Sequence, residues 1–189
     1  MPKSFLLVVL GLGLPIPLHG QVVGSAEEPA GLWYAGAEYS RLNPDYWAYP
    51  TVYMNGLSVY GGYRLDIRPH TGFGVEGTWR TLLDRDQGTR EQDSFSASGR
   101  YIFRASRFAP FGKVGGGFGH FRSGNREQPN PNSGQNGVHF VGAFGAGIDV
   151  RVTRYVYVRP LEWEQQVWSF SPNLLAPHSF SFGAAYRFR

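Results

Sequence analysis

Residues 178–189, HSFSFGAAYRFR, alternate large apolar side chains with small, polar or charged ones almost without interruption. Phe180, Phe182, Ala184, Tyr186 and Phe188 share one parity, and Ser179, Ser181, Gly183, Ala185 and Arg187 share the other. Successive side chains of an extended strand point to opposite faces, so this pattern specifies a strand with one greasy face and one small or charged face. Seven runs of the same kind precede it, over residues 31–42, 51–66, 72–83, 94–104, 110–123, 138–152 and 155–169. Each is about 11 to 16 residues long, beyond the usual five or six of a strand in a soluble domain and close to a tilted membrane crossing with its rim. The connections alternate, with long ones of about 8, 10, 14 and 8 residues and short ones of about 2 to 5. An even number of long strands joined alternately by tight turns and long loops predicts an all-β fold, an eight-stranded antiparallel up-and-down transmembrane β-barrel. In the seventh run the polar parity shifts from Arg159 to Glu162, Glu164 and Gln166, which predicts a bulge at Pro160, a residue unsuited to a regular internal ladder.

The amino-terminal 20 residues read differently. Lys3, the apolar stretch of residues 5–18 and the small residue Gly20 have the charged start, apolar middle and small-residue exit of a secretory signal peptide, with cleavage expected between Gly20 and Gln21. Pro15 and Pro17 interrupt the apolar stretch, which is also too short for a spanning helix. Residues 21–30 are polar and read as a short flexible lead, leaving residues 31–189 for the barrel. No later segment approaches a helical membrane span, so residence in a membrane must come from strands.

The chain of 189 residues contains no cysteine, which excludes disulfides, thiol catalysis, thiolate metal sites and a lipid anchor on cysteine. Charged residues are sparse at 17%, aromatic residues reach 16%, and there are 26 glycines. That mixture suits strands facing two environments and opposes disorder. The net charge of +4 is scattered among acids, without a basic stripe for nucleic acid. No two histidines stand at metal-ligand spacing, so neither a metal nor a cofactor is expected.

Alternation alone does not say which face is inside, because a soluble barrel would show the same pattern with its aromatics enclosed. The glycines favour the membrane reading. Gly36, Gly62, Gly74, Gly115, Gly117, Gly119, Gly145, Gly147 and Gly183 lie on the charged parity, where a narrow lumen has little room beside long ionic side chains. On an outward soluble face, so many glycines would weaken strands without gain. The expected lumen network is Glu38, Arg64, Glu76, Arg80, Arg100, Lys113, Asp149, Arg159, Glu162, Glu164 and Arg187, with Asp66, Arg104 and Arg151 on the same parity. Enclosed charges must pair, and a mid-barrel layer is expected from Glu38, Glu76, Arg100, Glu162 and Glu164, adjoined by Arg80 or Arg159. Phe140, Phe144, Ile148, Phe180, Phe182, Tyr186 and Phe188 are expected to face lipid.

Several short motifs carry a family resemblance. The Trp-Tyr-x-Gly-x-Glu opening at Trp33 to Glu38, the Pro-Phe-Gly-Lys-Val-Gly-Gly-Gly stretch at Pro110 to Gly117, Gly145-Ala-Gly-Ile-Asp149 and the Tyr-Arg-Phe ending resemble the OmpA-like and OmpX-like outer-membrane β-barrel domains. The similarity covers about residues 31–189. It implies residence in the bacterial outer membrane, and recognition of the closing strand, through Tyr186 and Phe188, by the barrel-insertion machinery. The chain's end at Arg189 leaves the peptidoglycan-binding domain of some relatives out of the expectation.

For function, the favoured reading is a structural or surface-interactive barrel whose lumen is filled by its own charges; a narrow pore for small solutes is the alternative. Some barrels of this size edit lipopolysaccharide acyl chains with a histidine, a serine and an acid. Here His178 adjoins Ser179, but neighbouring strand residues point to opposite faces, and His120 and His139 only flank the longest loop. No catalytic residue is assigned. Asp45, Tyr46, Trp47 and Tyr49 form an aromatic patch in the first long loop, suited either to an extracellular ligand or to the membrane edge.

Overall fold

The alternating runs become strands because one parity is packed inside while the other is displayed outside, and the chain pairs each strand with the next. In the computed structural model, described over residues 31–45, 53–68, 70–84, 91–122, 124–125, 128–129, 136–169 and 174–188, ten strands follow in chain order. They are β1 (Gly31–Asn43), β2 (Met54–Arg68), β3 (Thr71–Leu82), β4 (Glu91–Phe103), β5 (Phe108–Arg122), β6 (Gly124–Asn125), β7 (Gln128–Pro129), β8 (Gly137–Arg151), β9 (Val156–Trp168) and β10 (His178–Arg187). β6 and β7 form a small ribbon of their own in the connection after β5. The other eight close into one barrel, in which every neighbouring pair is antiparallel. The first and last barrel strands complete it, with Tyr34 opposite Arg187 and Asn43 opposite His178. Closure satisfies the backbone groups that a free sheet edge would leave open.

The expected eight barrel strands and their alternating connections are present, but several ends move. β4 starts at Glu91, so the charged segment 91–93 belongs to a strand and not to the preceding loop. β5 starts at Phe108, because Ala105 and Phe108 bridge across a tight turn whose Ser106 takes a φ of 58°. Residues 1–30, Tyr46, Trp47, Tyr49 and Arg189 lie outside the described residues.

Register irregularities on both sides of β9 place the extra residue where Pro160 was expected to break the ladder. Ile148 and Val150 of β8 pair with Leu161 and Val158, while Ser181 and Gly183 of β10 pair with Glu162 and Arg159. Pro160 and Leu161 both point outward, and Arg159 and Glu162 are both buried. One inserted residue thus lets two side chains of opposite parity share the lumen.

The outer surface carries the large apolar side chains, among them Phe73, Val75, Trp79, Phe95, Tyr101, Val114, Phe118, Phe140, Phe144, Phe180 and Phe182. Ile148 is half-buried. Near the short-turn end the aromatic rings associate, with Trp33 and Tyr63 centroids 4.9 Å apart and Tyr155 stacked on Tyr186 at 5.9 Å.

The glycine bias has a steric cause. A Cβ on inward-facing Gly117 would sit 1.9 Å from the Phe95 carbonyl oxygen, whereas on outward-facing Gly142 its nearest neighbour would be 4.0 Å away. The strands lie too close on their concave side for any side chain at such positions.

Candidate functional site

The enclosed side chains fall into layers along the barrel axis. At the long-loop end Phe121, Val141, Trp168 and Leu175 form an apolar cap. Val141 breaks the parity of its run in sequence; inside the barrel it belongs to this cap and is fully buried. Small buried hydroxyl residues, including Ser40, Ser96 and Ser179, accompany buried Gln166, and Ser58 accepts from Arg80 Nε at 3.0 Å. A chain of hydrogen bonds descends β9: Trp168 Nε1 donates to Gln166 Oε1 at 2.9 Å, and Gln166 Nε2 donates to Glu164 Oε1 at 2.9 Å.

Glu164 opens the ionic layer. Arg80 Nη1 donates to its Oε1 at 2.7 Å, and Lys113 Nζ stands 2.5 Å from both Glu164 and Glu162. Arg159 is the centre. Its Nη1 reaches Glu38 at 2.7 Å and Glu162 at 2.6 Å, its Nη2 reaches Glu76 at 3.1 Å, and its Nε reaches Asp149 at 2.7 Å. Arg100 runs parallel to it, donating to Glu76 and Asp149, both at 2.8 Å, and to the Tyr34 hydroxyl at 2.9 Å. The Phe111 ring lies against both guanidinium groups, 3.7 Å from Arg100 and 4.7 Å from Arg159, and Tyr60 covers Arg159 at 4.3 Å.

This arrangement meets the condition for enclosing charge. Arginine offers several donors in a planar fork, so one side chain can answer three or four carboxylates and still stack on an aromatic face. Every acid of the layer, Glu38, Glu76, Asp149, Glu162 and Glu164, has at least one cation within 3.1 Å. The five residues expected in a mid-barrel layer do meet there. Both Arg80 and Arg159 join them, and so do Lys113 and Asp149. Pairing of β4 with β5 sets Arg100 opposite Lys113, and pairing of β8 with β9 brings Gly145 opposite Glu164, leaving room for the lysine stem. Tyr34, Tyr60 and Phe111 were legible only as exceptions, being bulky residues on the otherwise small or charged parity.

Arg64 and Arg187, also expected in the network, are buried but stand apart from it, toward the short-turn end. Arg64 Nε donates to Asp66 at 2.8 Å, Arg104 Nη1 donates to the same carboxylate at 2.9 Å, and Arg187 Nη1 donates to the Tyr157 hydroxyl at 2.8 Å. Toward the other end, His178 lies edge-on to Tyr53 while Ser179 is fully buried on the opposite face, so the two do not meet. His139 Nδ1 lies 3.2 Å from the Ser169 carbonyl oxygen, and His120 is exposed.

A closed eight-stranded barrel with an apolar exterior and an ionic lumen is the fold of many envelope proteins, and the sequence profile described as "Outer membrane protein beta-barrel domain" matches residues 6–188. The chain belongs to the outer membrane protein β-barrel family. As a member of that family it resides in the bacterial outer membrane. Solved structures share the fold at low sequence identity. Ail, the attachment invasion locus protein of Yersinia pestis, is 17% identical with a TM-score of 0.55, the match covering 84% of this chain and 97% of that one. Neisserial surface protein A is 13% identical at 0.58, over 84% and 97%. The N-terminal barrel domain of Pseudomonas aeruginosa OprF is 12% identical at 0.57, over 84% and 98%. No curated protein sequence matches the chain significantly. In members of this family short turns face the periplasm and long loops face outward, which orients the apolar cap toward the cell exterior and the arginine-rich end toward the periplasm.

Proposed function

We propose that this family member is a closed, non-conducting barrel with a structural or surface-interactive role. The observation that carries the proposal is the ionic layer, whose side chains come from β1, β3, β4, β5, β8 and β9 and meet on the axis. An eight-stranded interior is just wide enough for side chains to fill it. The layer therefore acts as a plug that also fixes strand register. Phe140, Phe144, Ile148, Phe180, Phe182, Tyr186 and Phe188 contact the lipid, and the long connections on the outer end carry recognition of an extracellular ligand. Ail, which has the same fold, has been solved in complex with the heparin analogue sucrose octasulfate, so a barrel of this architecture can present a ligand surface. Nucleophilic catalysis draws no support from His178 and Ser179, which face opposite ways.

Planar-bilayer recording of the purified protein tests the plug. The expected result is a silent membrane at low voltage; steady unitary openings of the wild-type protein would establish a pore instead.

A further inference from the structure

Two adjoining cavities occupy the periplasmic mouth of the barrel and share Arg64 and Tyr157 in their walls. The inner one is lined by Leu32, Tyr34 and Arg187 and ends on Arg100, Asp149 and Arg159. The outer one, open to solvent, is lined by Arg104, Arg107 and Arg151. Arg64, Arg187, Arg104, Arg107 and Arg151 thus line one mouth, beyond the Arg100 and Arg159 on which it ends. Asp149 lines the inner cavity with each oxygen engaged, by Arg100 and by Arg159. Asp66 holds Arg64 by its Nε edge and Arg104 by Nη1, which fixes the orientation of both forks. Nη2 of Arg64 is buried and has no hydrogen-bond partner among the described residues.

A buried guanidinium nitrogen without an acceptor is costly, and guanidinium forks match the oxygens of phosphate groups, which accept from several directions at once. We propose that the periplasmic mouth is a binding site for a phosphate-type oxyanion, received by Arg64 and Arg187 inside and by Arg104, Arg107 and Arg151 at the rim. Tyr157, which accepts from Arg187 and lines both cavities, holds the inner wall. Free phosphate and the headgroup of an anionic phospholipid offer the same chemistry. The first would enter from the periplasm and the second from the adjoining leaflet.

Calorimetric titration of inorganic phosphate into the full mature protein, held in phosphatidylcholine nanodiscs at low ionic strength, tests the site. Saturable one-to-one binding is expected, weakened about tenfold or more by Arg64→Gln and reduced by Arg107→Gln, an exposed turn residue whose replacement does not endanger folding. Arg41→Gln at the opposite end of the barrel should leave binding unchanged. Discs doped with phosphatidylglycerol separate the sources: loss of phosphate binding there identifies the lipid headgroup as the occupant, and unchanged binding identifies the free anion. The assignment is overturned by an absence of saturable binding in phosphatidylcholine discs. It is equally overturned if both Arg64→Gln and Arg107→Gln bind as tightly as wild type.

Discussion

Replacing Arg159 removes the one cation shared by Glu38, Glu76, Asp149 and Glu162. Glu38 and Glu162 face each other across its Nη1, so their repulsion would no longer be screened. Breaking a buried ion pair costs about 3 to 5 kcal/mol when one partner is left behind. Arg159→Met should therefore lower unfolding stability in lipid vesicles by about that amount; a loss within about 0.5 kcal/mol, the usual size of a surface substitution, would show that the network does not hold the barrel. Residue by residue, the sequence revealed which charges are enclosed, because burial follows parity and parity is visible. Which acid meets which base was hidden. Pairing depends on the stagger between strands, and Lys113 reaches Glu162 and Glu164 across Gly145, where a Cβ would stand 3.4 Å from the lysine Cε.

At the level of the element, β9 and β10 carry the most information. Pro160 broke the alternation of its run, and a bulge was the simplest repair; the structure places the irregularity between Arg159 and Glu162. Deleting Pro160 removes the extra residue yet keeps Arg159 and Glu162 inward, so the barrel should still form. Deleting Trp163 instead turns Glu164 and Gln166 outward and Gln165 and Val167 inward, so that variant should fail to fold, since a one-residue slip reverses a whole face. Gel mobility of the folded and heated forms distinguishes the two; equal behaviour of both deletions would contradict the role of the bulge. Tyr186 of β10 and Phe188, just past its end, lie exposed at the periplasmic end. If they form the insertion signal, Phe188→Ala should reduce the folded protein recovered from cells severalfold while refolding in vitro is unaffected; unaltered recovery from cells would remove that role. Strand ends were less legible than strand bodies. Glu91 and Asp93 look like loop residues by charge, but near the rim a strand can carry charge without entering the hydrocarbon region.

For the whole molecule, the decisive property is which face of the closed sheet meets hydrocarbon, and composition could not supply it because alternation cancels in any average. Glycine position could in part, since a Cβ on concave-side Gly115, Gly117 or Gly183 would run into the neighbouring strand's backbone, whereas on outward-facing Gly112 or Gly142 its nearest neighbour would be 4.0 Å away. The outer-end loops were legible as loops and no further, as their chemistry depends on a surface built from several connections at once. The arginine-lined mouth was invisible for the same reason: its residues come from β1, β2, β4, β5, β8, β9 and β10 and from the turn before β5, and only closure brings them together. Quenching of tryptophan fluorescence by lipids brominated along their acyl chains measures the orientation of the sheet directly. Single-tryptophan proteins retaining either Trp79, exposed beside Phe95, or Trp168, fully buried above Gln166, should behave oppositely: Trp79 strongly quenched and Trp168 insensitive. Quenching of Trp168 with Trp79 protected would contradict the account, because the aromatic face would then be the one turned inward.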